Sequence, residues 1–256
     1  MAKSLSILFV SSECYPFAKV GGLGDVSYSL PLAIRELGHD IRVMLPKYGS
    51  VSERKNRIHE INRLRDLPIP MGKKTELATV KSSAIQNQRS KVQAYITTNL
   101  TYFDSVRGIY RDTKNWKEYP NNDERFAFFS KSVVETCHIL EWFPDIIHVN
   151  NWQTALIPAF AKEIYPKEFK KTKFLLTIHN IDEQCETDNF DFKMTNISEK
   201  SKENFMHKGK INFLKAGIHY ADYVNTVSPS YAEQILKDAE LTNGLNEVLK
   251  KKKNFK

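Results

Sequence analysis

Short apolar runs alternate with amphipathic stretches along this 256-residue chain, and that alternation most constrains its fold. Strands are predicted at residues 6–11, 41–45, 146–149, 174–178 and 223–227. Helices are predicted at residues 25–37, 123–140, 154–165, 204–220 and 229–237. Buried strands separated by helices are typical of a parallel sheet with helices on both faces. We therefore expect an α/β, doubly wound, Rossmann-like sheet.

The rest of the chain is less regular. Residues 77–81 and 92–97 suggest a strand pair, and residues 101–122 suggest a long ordered loop, a kind of segment that is often functional. Pro31 predicts a kink or a second start within the first helix. We expect one domain over residues 1–241, followed by a weakly structured basic tail over residues 242–256.

Composition excludes several classes of protein. With 41% hydrophobic and 27% charged residues, the chain is of ordinary globular type, and no apolar run is long enough for a membrane span. Residues 1–4 lead directly into an apolar run, so no signal peptide is expected. Cys14, Cys137 and Cys185 are far apart and form no Cys-x-x-Cys pair, which fits a reducing cytoplasm. The net charge is +8, but outside the C-terminal lysine run the basic residues are interspersed with acidic ones. Nucleic acid is therefore not an expected partner.

One loop has the chemistry of a phosphate site. It follows the first strand and precedes the first helix, and it reads Lys19-Val20-Gly21-Gly22-Leu23-Gly24-Asp25. Glycines let backbone N–H groups approach an anion, a helix N-terminus adds partial positive charge, and lysine adds a full charge. Two alternatives remain: a plain turn with packing glycines, and a dinucleotide loop. The second is disfavoured because the glycines follow the strand by about ten residues, whereas the dinucleotide fingerprint places them directly after it.

Ligands of open parallel sheets bind beyond the carboxyl ends of the strands, so polar residues there are site candidates. Two further strand exits carry such residues: the segment from His148 to Gln153, and the segment from Thr177 to Asn180. Each histidine could equally be a satisfied strand-end residue. The tryptophans Trp116, Trp142 and Trp152 are more typical of packing than of sugar platforms, and Trp152 is the best site candidate among them. Neither a metal-ligand spacing nor a Gly-x-Ser-x-Gly elbow is present.

Several ordered motifs together resemble the N-terminal half of bacterial glycogen synthase and plant starch synthase, which are retaining glycosyltransferases of the GT-B architecture. The resemblance runs from Ile7 to about Leu249. Its main motifs are Ser12-Glu13-Cys14-Tyr15-Pro16-Phe17-Ala18-Lys19-Val20-Gly21-Gly22-Leu23-Gly24-Asp25-Val26, Asn122-Asp123-Glu124-Arg125-Phe126, Pro144-Asp145-Ile146-Ile147-His148, Trp152-Gln153-Thr154-Ala155-Leu156, Thr177-Ile178-His179-Asn180 and Ile211-Asn212-Phe213-Leu214-Lys215-Ala216-Gly217.

The resemblance implies a reaction and a site. Such enzymes move glucose from ADP-glucose to the non-reducing end of an α-1,4-glucan with retention, without a cofactor or a metal. It implies that His179 and Asp25 are catalytic. The substrate-binding residues that it implies are Lys19, Gly21, Gly22, His148, Asn151, Trp152 and Asn180. The diphosphate leaving group would be stabilised by the lysine and the helix N-terminus.

Three departures from the family pattern matter. The family's His-x-His-Asp-Trp is here His148-Val149-Asn150-Asn151-Trp152, so that two amides replace a histidine and a carboxylate. A Tyr-Gln-Gly turn is replaced by residues 181–185. The sequence stops near the family's interdomain hinge, so a C-terminal domain would have to be supplied separately. A module that binds α-glucan or a partner without catalysis is therefore the alternative to an enzyme.

Overall fold

The computed structural model describes residues 3–256, and the predictions that concern residues 1 and 2 lie outside them. The strands are β1 Ser6–Val10, β2 Asp40–Pro46, β3 His59–Glu60, β4 Leu67–Met71, β5 Lys74–Gln86, β6 Lys91–Thr98, β7 Ile146–Asn150, β8 Lys173–Ile178, β9 Glu186–Thr187, β10 Met206–His207, β11 Lys210–Asn212 and β12 Tyr223–Thr226. The α-helices are α1 Gly22–Glu36, α2 Asn122–Leu140, α3 Ile157–Ile164, α4 Phe213–Tyr220, α5 Pro229–Lys237 and α6 Asn246–Lys250.

A nine-stranded sheet forms the centre of the part described, in the order β12-β8-β7-β1-β2-β6-β5-β3, with β4 paired to β5. The pairs from β12 to β6 are parallel, and β5 runs antiparallel to its neighbours. The strand β2 pairs with one edge of β1, and β7 pairs with the other edge of β1. This confirms the predicted doubly wound α/β sheet and places its switch point between β1 and β7.

Apolar side chains on both faces of the central strands explain why helices cover this sheet. Leu8, Phe9 and Val10 of β1 are all buried, as expected for a strand between two layers. The helix α1 packs against β2 and β6, and α2 packs against β4 and α3. The described helices include none that is long and apolar enough to cross a membrane.

The helix α1 continues through Pro31 without a second start. A proline inside a helix removes the N–H that would bond the carbonyl four residues earlier, which is that of Ser27. The thiol of Cys14 lies 3.3 Å from the Ser27 carbonyl oxygen and donates to it. The loop after β1 thereby satisfies an acceptor that the helix leaves free.

Two helix predictions were wrong in their extent. The helix predicted over 204–220 begins only at Phe213, because Lys208 and Gly209 have φ of 48° and 84° and form the turn of the β10–β11 hairpin. Asn212 then caps α4 by accepting the N–H of Lys215 at 2.8 Å. The helix predicted over 154–165 begins at Ile157, after a 3₁₀ turn.

The tail predicted to be weakly structured is instead packed. Leu245 and Leu249 are buried, the first at the N-cap of α6 and the second within that helix. Val224 of β12 donates its N–H to Asn254 at 3.0 Å and accepts that of Lys256 at 3.0 Å. The last residues therefore pair with the edge of the sheet.

Candidate functional site

The glycine loop lies at the carboxyl end of β1 and opens α1. The Nζ atom of Lys19 lies 2.7 Å and 2.6 Å from the two carboxylate oxygens of Asp25, so the cation is neutralised by an acid of its own loop. Both side chains are well exposed, at 42% and 61%. Exposed pairs of this kind contribute only about 0.2–1 kcal/mol, so a phosphate could displace the carboxylate at little cost.

Gly21 and Gly22 face open space. A Cβ atom built on either glycine would have no neighbour within 4 Å. Gly21 is the N-cap of α1, and no side chain caps the helix there. Gly24 differs, because a Cβ there would lie 2.7 Å from Cγ of Lys19. The first two glycines thus leave room for a ligand at the helix N-terminus, and the third makes room for the lysine stem.

A buried carboxylate already occupies part of this loop. Glu13 is only 3% exposed, and its Oε2 atom accepts the backbone N–H groups of Val20 and Gly21 at 2.7 Å and 2.9 Å. The Tyr110 hydroxyl donates to its Oε1 atom at 2.7 Å. Sequence reasoning did not select Glu13, although it stands inside the first motif. The groups left for an incoming anion are the Lys19 ammonium and the helix start that follows Gly21.

His148 is held in the sheet. It is 7% exposed, its ring lies edge-on to Phe9 at 4.7 Å, and its Nε2 atom lies 2.7 Å from Oγ1 of Thr177. The Thr177 hydroxyl donates to Oδ1 of Asn225 at 2.6 Å, so the threonine oxygen accepts from His148. Burial lowers the pKa of His148 to about 3 and keeps the ring neutral. This geometry matches a satisfied strand-end histidine, and a substrate contact from His148 stays a prediction.

His179 is oriented by the side chain of Asn150. The Nδ2 atom of Asn150 donates to the carbonyl of Val10 at 3.0 Å, which turns its Oδ1 atom toward Nε2 of His179 at 2.9 Å. An amide oxygen only accepts, so Nε2 of His179 carries the proton and Nδ1 keeps a lone pair. Burial lowers the pKa of His179, and the nearby Glu13 carboxylate opposes that shift. The site therefore holds a neutral imidazole of fixed tautomer.

Asn151 supports the same histidine through the backbone. Its Oδ1 atom accepts the N–H of His179 at 2.7 Å, and its own N–H donates to the carbonyl of Thr177 at 2.9 Å. Its backbone has φ 56° and ψ −173°, a region that residues other than glycine occupy at a cost of about 1–3 kcal/mol. A carboxylate at this position would also accept that N–H, but it would add a charge beside the imidazole.

Comparisons with known proteins agree with one another. The family model described as "Starch synthase catalytic domain" matches residues 6–251. The chain belongs to the starch synthase catalytic domain family. It is 38% identical to the glycogen synthase of Chlorobaculum tepidum, over 97% of this chain and 51% of that protein. It is 35% identical to the glycogen synthase of Elusimicrobium minutum, over 98% of this chain and 51% of that protein.

A solved structure has the same fold. The catalytic domain of starch synthase IV from Arabidopsis thaliana, bound to ADP and acarbose, matches with a TM-score of 0.80 at 24% identity. The match covers 99% of this chain and 51% of that one. The chain thus spans about half the length of the curated relatives and of the structure that it matches.

The sheet of this starch synthase-type domain brings most of the predicted residues to one edge. The strands β1, β7 and β8 are neighbours, and the segments after them carry Lys19, Asn151 and His179 respectively. Asn180 lies beside His179, and its Oδ1 atom accepts the N–H of Asp182 at 3.1 Å. In residues 3–256 no cluster of side chains has the composition of a metal site.

Trp152 is buried in an aromatic cluster rather than displayed at this edge. It is 8% exposed, and its ring lies 5.2 Å from that of Phe126 and 6.3 Å from that of Phe213. The geometry favours the packing interpretation. A substrate contact from Trp152 stays a prediction.

A buried arginine, missed by sequence reasoning, holds the long loop before α2. Arg125 is fully buried, and it donates to the carbonyls of Tyr102 at 2.7 Å and Ile109 at 3.0 Å and to Oδ1 of Asn122 at 2.6 Å. Its guanidinium carbon lies 4.7 Å from the ring centre of Tyr119. Its position three residues after Asn122 in an aromatic motif was the available signal. The arginine fixes the loop that carries Tyr110 to Glu13.

Proposed function

We propose that this chain forms the glucan-facing half of a glycogen or starch synthase, which transfers glucose from ADP-glucose to the non-reducing end of an α-1,4-glucan with retention. The observation that carries the proposal is the convergence of the Lys19 loop and His179 at adjacent strand exits. A cation, an uncapped helix N-terminus and a neutral histidine suit a site for a sugar linked to a diphosphate. A cytoplasmic location belongs to the same proposal.

In this proposal the phosphates of ADP-glucose lie against Lys19 and the open face of Gly21 and Gly22. The incoming phosphate displaces Asp25 from the Lys19 ammonium, and Asp25 then becomes free to contact the sugar. His179 accepts a hydrogen bond from a glucose hydroxyl at Nδ1, because Asn150 holds its proton at Nε2. Asn180 contributes further polar contacts.

The remaining nucleotide contacts are assigned to a second GT-B domain, in keeping with the length of the relatives. Catalytic preorganisation requires donors on both sides of the developing charge. We therefore expect little turnover by the chain alone and a large gain when a matching C-terminal half is added.

The test measures incorporation of radiolabelled glucose from ADP-glucose into glycogen, by the chain alone and mixed with the C-terminal half of a close relative. Lys19→Gln should lower incorporation by about 100-fold, the effect typical of removing one preorganised donor. Lys170→Gln, at an exposed lysine in a separate surface turn, is the matched control and should have no effect. Absence of incorporation under every combination would reject the catalytic proposal.

The replacement of two family residues by Asn150 and Asn151 favours a second candidate, a non-catalytic module that binds α-glucan or a partner. Neither amide carries charge or takes a proton at neutral pH. Retardation in a glycogen-containing gel, together with no incorporation in any mixture, would support this candidate over the enzyme.

A further inference from the structure

The most exposed tryptophan of the described chain stands at the tip of the long loop between β6 and α2. Trp116 is 75% exposed, so the expectation that it is a packing residue was wrong. Its backbone has φ 59°, a left-handed conformation that bulky residues rarely adopt. The backbone at Trp116 is thus strained, and its large apolar ring is mostly exposed.

The tip of the loop is built by backbone hydrogen bonds rather than by that ring. Asp112 donates its N–H to the carbonyl of Lys117 at 2.8 Å and accepts the N–H of Trp116 at its own carbonyl at 3.0 Å. Its Oδ1 atom also accepts the N–H groups of Lys114 at 2.9 Å and Asn115 at 3.1 Å. Those two bonds lower the pKa of Asp112 and keep it ionised. The turn is ordered whether or not the indole touches anything.

The base of this loop belongs to the candidate site. Tyr110 donates to Glu13, which holds the glycine loop, and the Arg111–Glu118 ion pair at 3.0 Å closes the base of the turn. The tip therefore stands at the end of a loop whose base contacts the glycine loop of the candidate site.

We propose that the Trp116 indole is a stacking platform for a glucosyl unit of the acceptor glucan, outside the reaction centre. The inference rests on the proposed function. One face of a glucose ring is lined with C–H bonds and packs flat on an aromatic ring, while its hydroxyls stay in water or reach polar neighbours. A polymeric acceptor extends beyond the reaction centre, and the loop that carries Trp116 begins at Tyr110, which contacts the glycine loop through Glu13. The charged neighbours Lys114, Lys117 and Glu118 can bond the hydroxyls of a sugar on the indole.

The test measures binding of maltoheptaose and glycogen to the purified chain by calorimetry and by affinity electrophoresis. Trp116→Ala should raise the Kd for maltoheptaose about tenfold, and Trp116→Phe should recover most of the affinity because it keeps an aromatic face. Both variants should melt at the wild-type temperature, because the ring packs on little. Leu37→Ala is the matched control, since Leu37 is 77% exposed on the C-cap of α1, and it should change neither Kd nor melting temperature.

Three results would overturn the inference. One is an unchanged maltoheptaose Kd in Trp116→Ala, and another is failure of the wild-type chain to bind either glucan. The third is a Trp116→Ala variant that binds glucan normally but loses affinity for ADP or for an added C-terminal half, which would make the indole a nucleotide or domain contact. Glucan binding is measured in an assay that does not require turnover. Trp116-dependent binding with no incorporation of glucose would therefore uphold the platform while rejecting catalysis.

Discussion

The tautomer of His179 can be tested by placing a negative charge beside it. In Asn150→Asp an acceptor oxygen is kept 2.9 Å from Nε2 of His179, and the only new element there is the charge. The donor to the Val10 carbonyl at 3.0 Å is lost as well. The variant therefore adds a negative charge beside the imidazole and also removes the hydrogen bond that anchors the amide to Val10.

The size of the effect follows from the distance. Opposite charges about 4 Å apart interact by about 4 kcal/mol at an effective dielectric constant of about 20, which corresponds to about three pKa units. Desolvation of the new carboxylate reduces this figure, and neighbouring opposite charges shift pKa values by about 1–3 units. We expect the pKa of His179 to rise by about two units. Loss of the bond to Val10 should lower the free energy of unfolding by about 1–3 kcal/mol at neutral pH.

The rise in the pKa of His179 changes how the stability of the chain depends on pH. In the wild type the pKa of His179 is lowered by burial, so protonation favours unfolding and stability falls as the pH drops. In the variant the pKa of His179 is raised from its wild-type value, so the loss of stability at low pH should be smaller and should set in at a different pH. Protonation would also remove the Nδ1 lone pair, so ligand binding at His179 should weaken below the new pKa.

The assay is a pH titration of ¹⁵N-labelled chain that follows the imidazole nitrogens of His179. The wild type should show the Nε2–H tautomer down to a pH below 6.5, and in Asn150→Asp the imidazolium should appear about two pH units higher than in the wild type. Asn56→Asp adds the same charge at the opposite edge of the sheet and should leave His179 unchanged. An Nδ1–H tautomer in the wild type, or an unshifted pKa in Asn150→Asp, would refute the proposed arrangement.

Three further outcomes are expected. Burial lowers the pKa of His148 to about 3, so the free energy of unfolding should fall by up to about 1.4 kcal/mol per pH unit below about pH 6.5. Urea unfolding of His148→Gln at several pH values should show a shallower dependence of stability on pH. Arg125→Met should destabilise the chain by about 2–5 kcal/mol in urea unfolding, because it leaves buried carbonyls unpaired. Arg111→Met removes an exposed ion pair and should change stability by less than about 1 kcal/mol. Equal effects of the two substitutions would contradict the role of Arg125 in holding the loop. Gly217→Ala should destabilise the chain by about 1–3 kcal/mol, because the new Cβ would lie 2.6 Å from Cβ of Ala155. Gly22→Ala should leave the melting temperature unchanged and weaken ADP binding, because a Cβ there meets no protein atom within 4 Å. Normal ADP affinity in Gly22→Ala would argue against a phosphate at the open face of Gly22.

The strands and helices whose apolar residues follow a clear pattern along the chain were predictable from local residues. The strands β1, β7 and β8 and the helix α5 lie within a residue or two of their predicted bounds, because their apolar residues recur at the period of a strand or a helix. The hairpin before α4 was not predicted, because two consecutive residues with positive φ override a helical pattern of side chains. The packed tail was not predicted either, because its partner is the edge of β12, about thirty residues earlier in the chain.

The sequence by itself determined the alternation of strands and helices, the glycine loop at the first strand exit and the family motifs, because each depends on residues close together in the chain. Only the tertiary structure decided which polar and aromatic residues are buried and which are exposed. Trp152, the expected site candidate, is 8% exposed, and Trp116, which was expected to pack, is 75% exposed, because burial depends on what packs above each ring. Tyr110 reaches Glu13 across 97 positions, a contact that no local pattern records. Local periodicity specifies elements, whereas the chemistry of this site depends on hydrogen bonds between residues far apart in the chain.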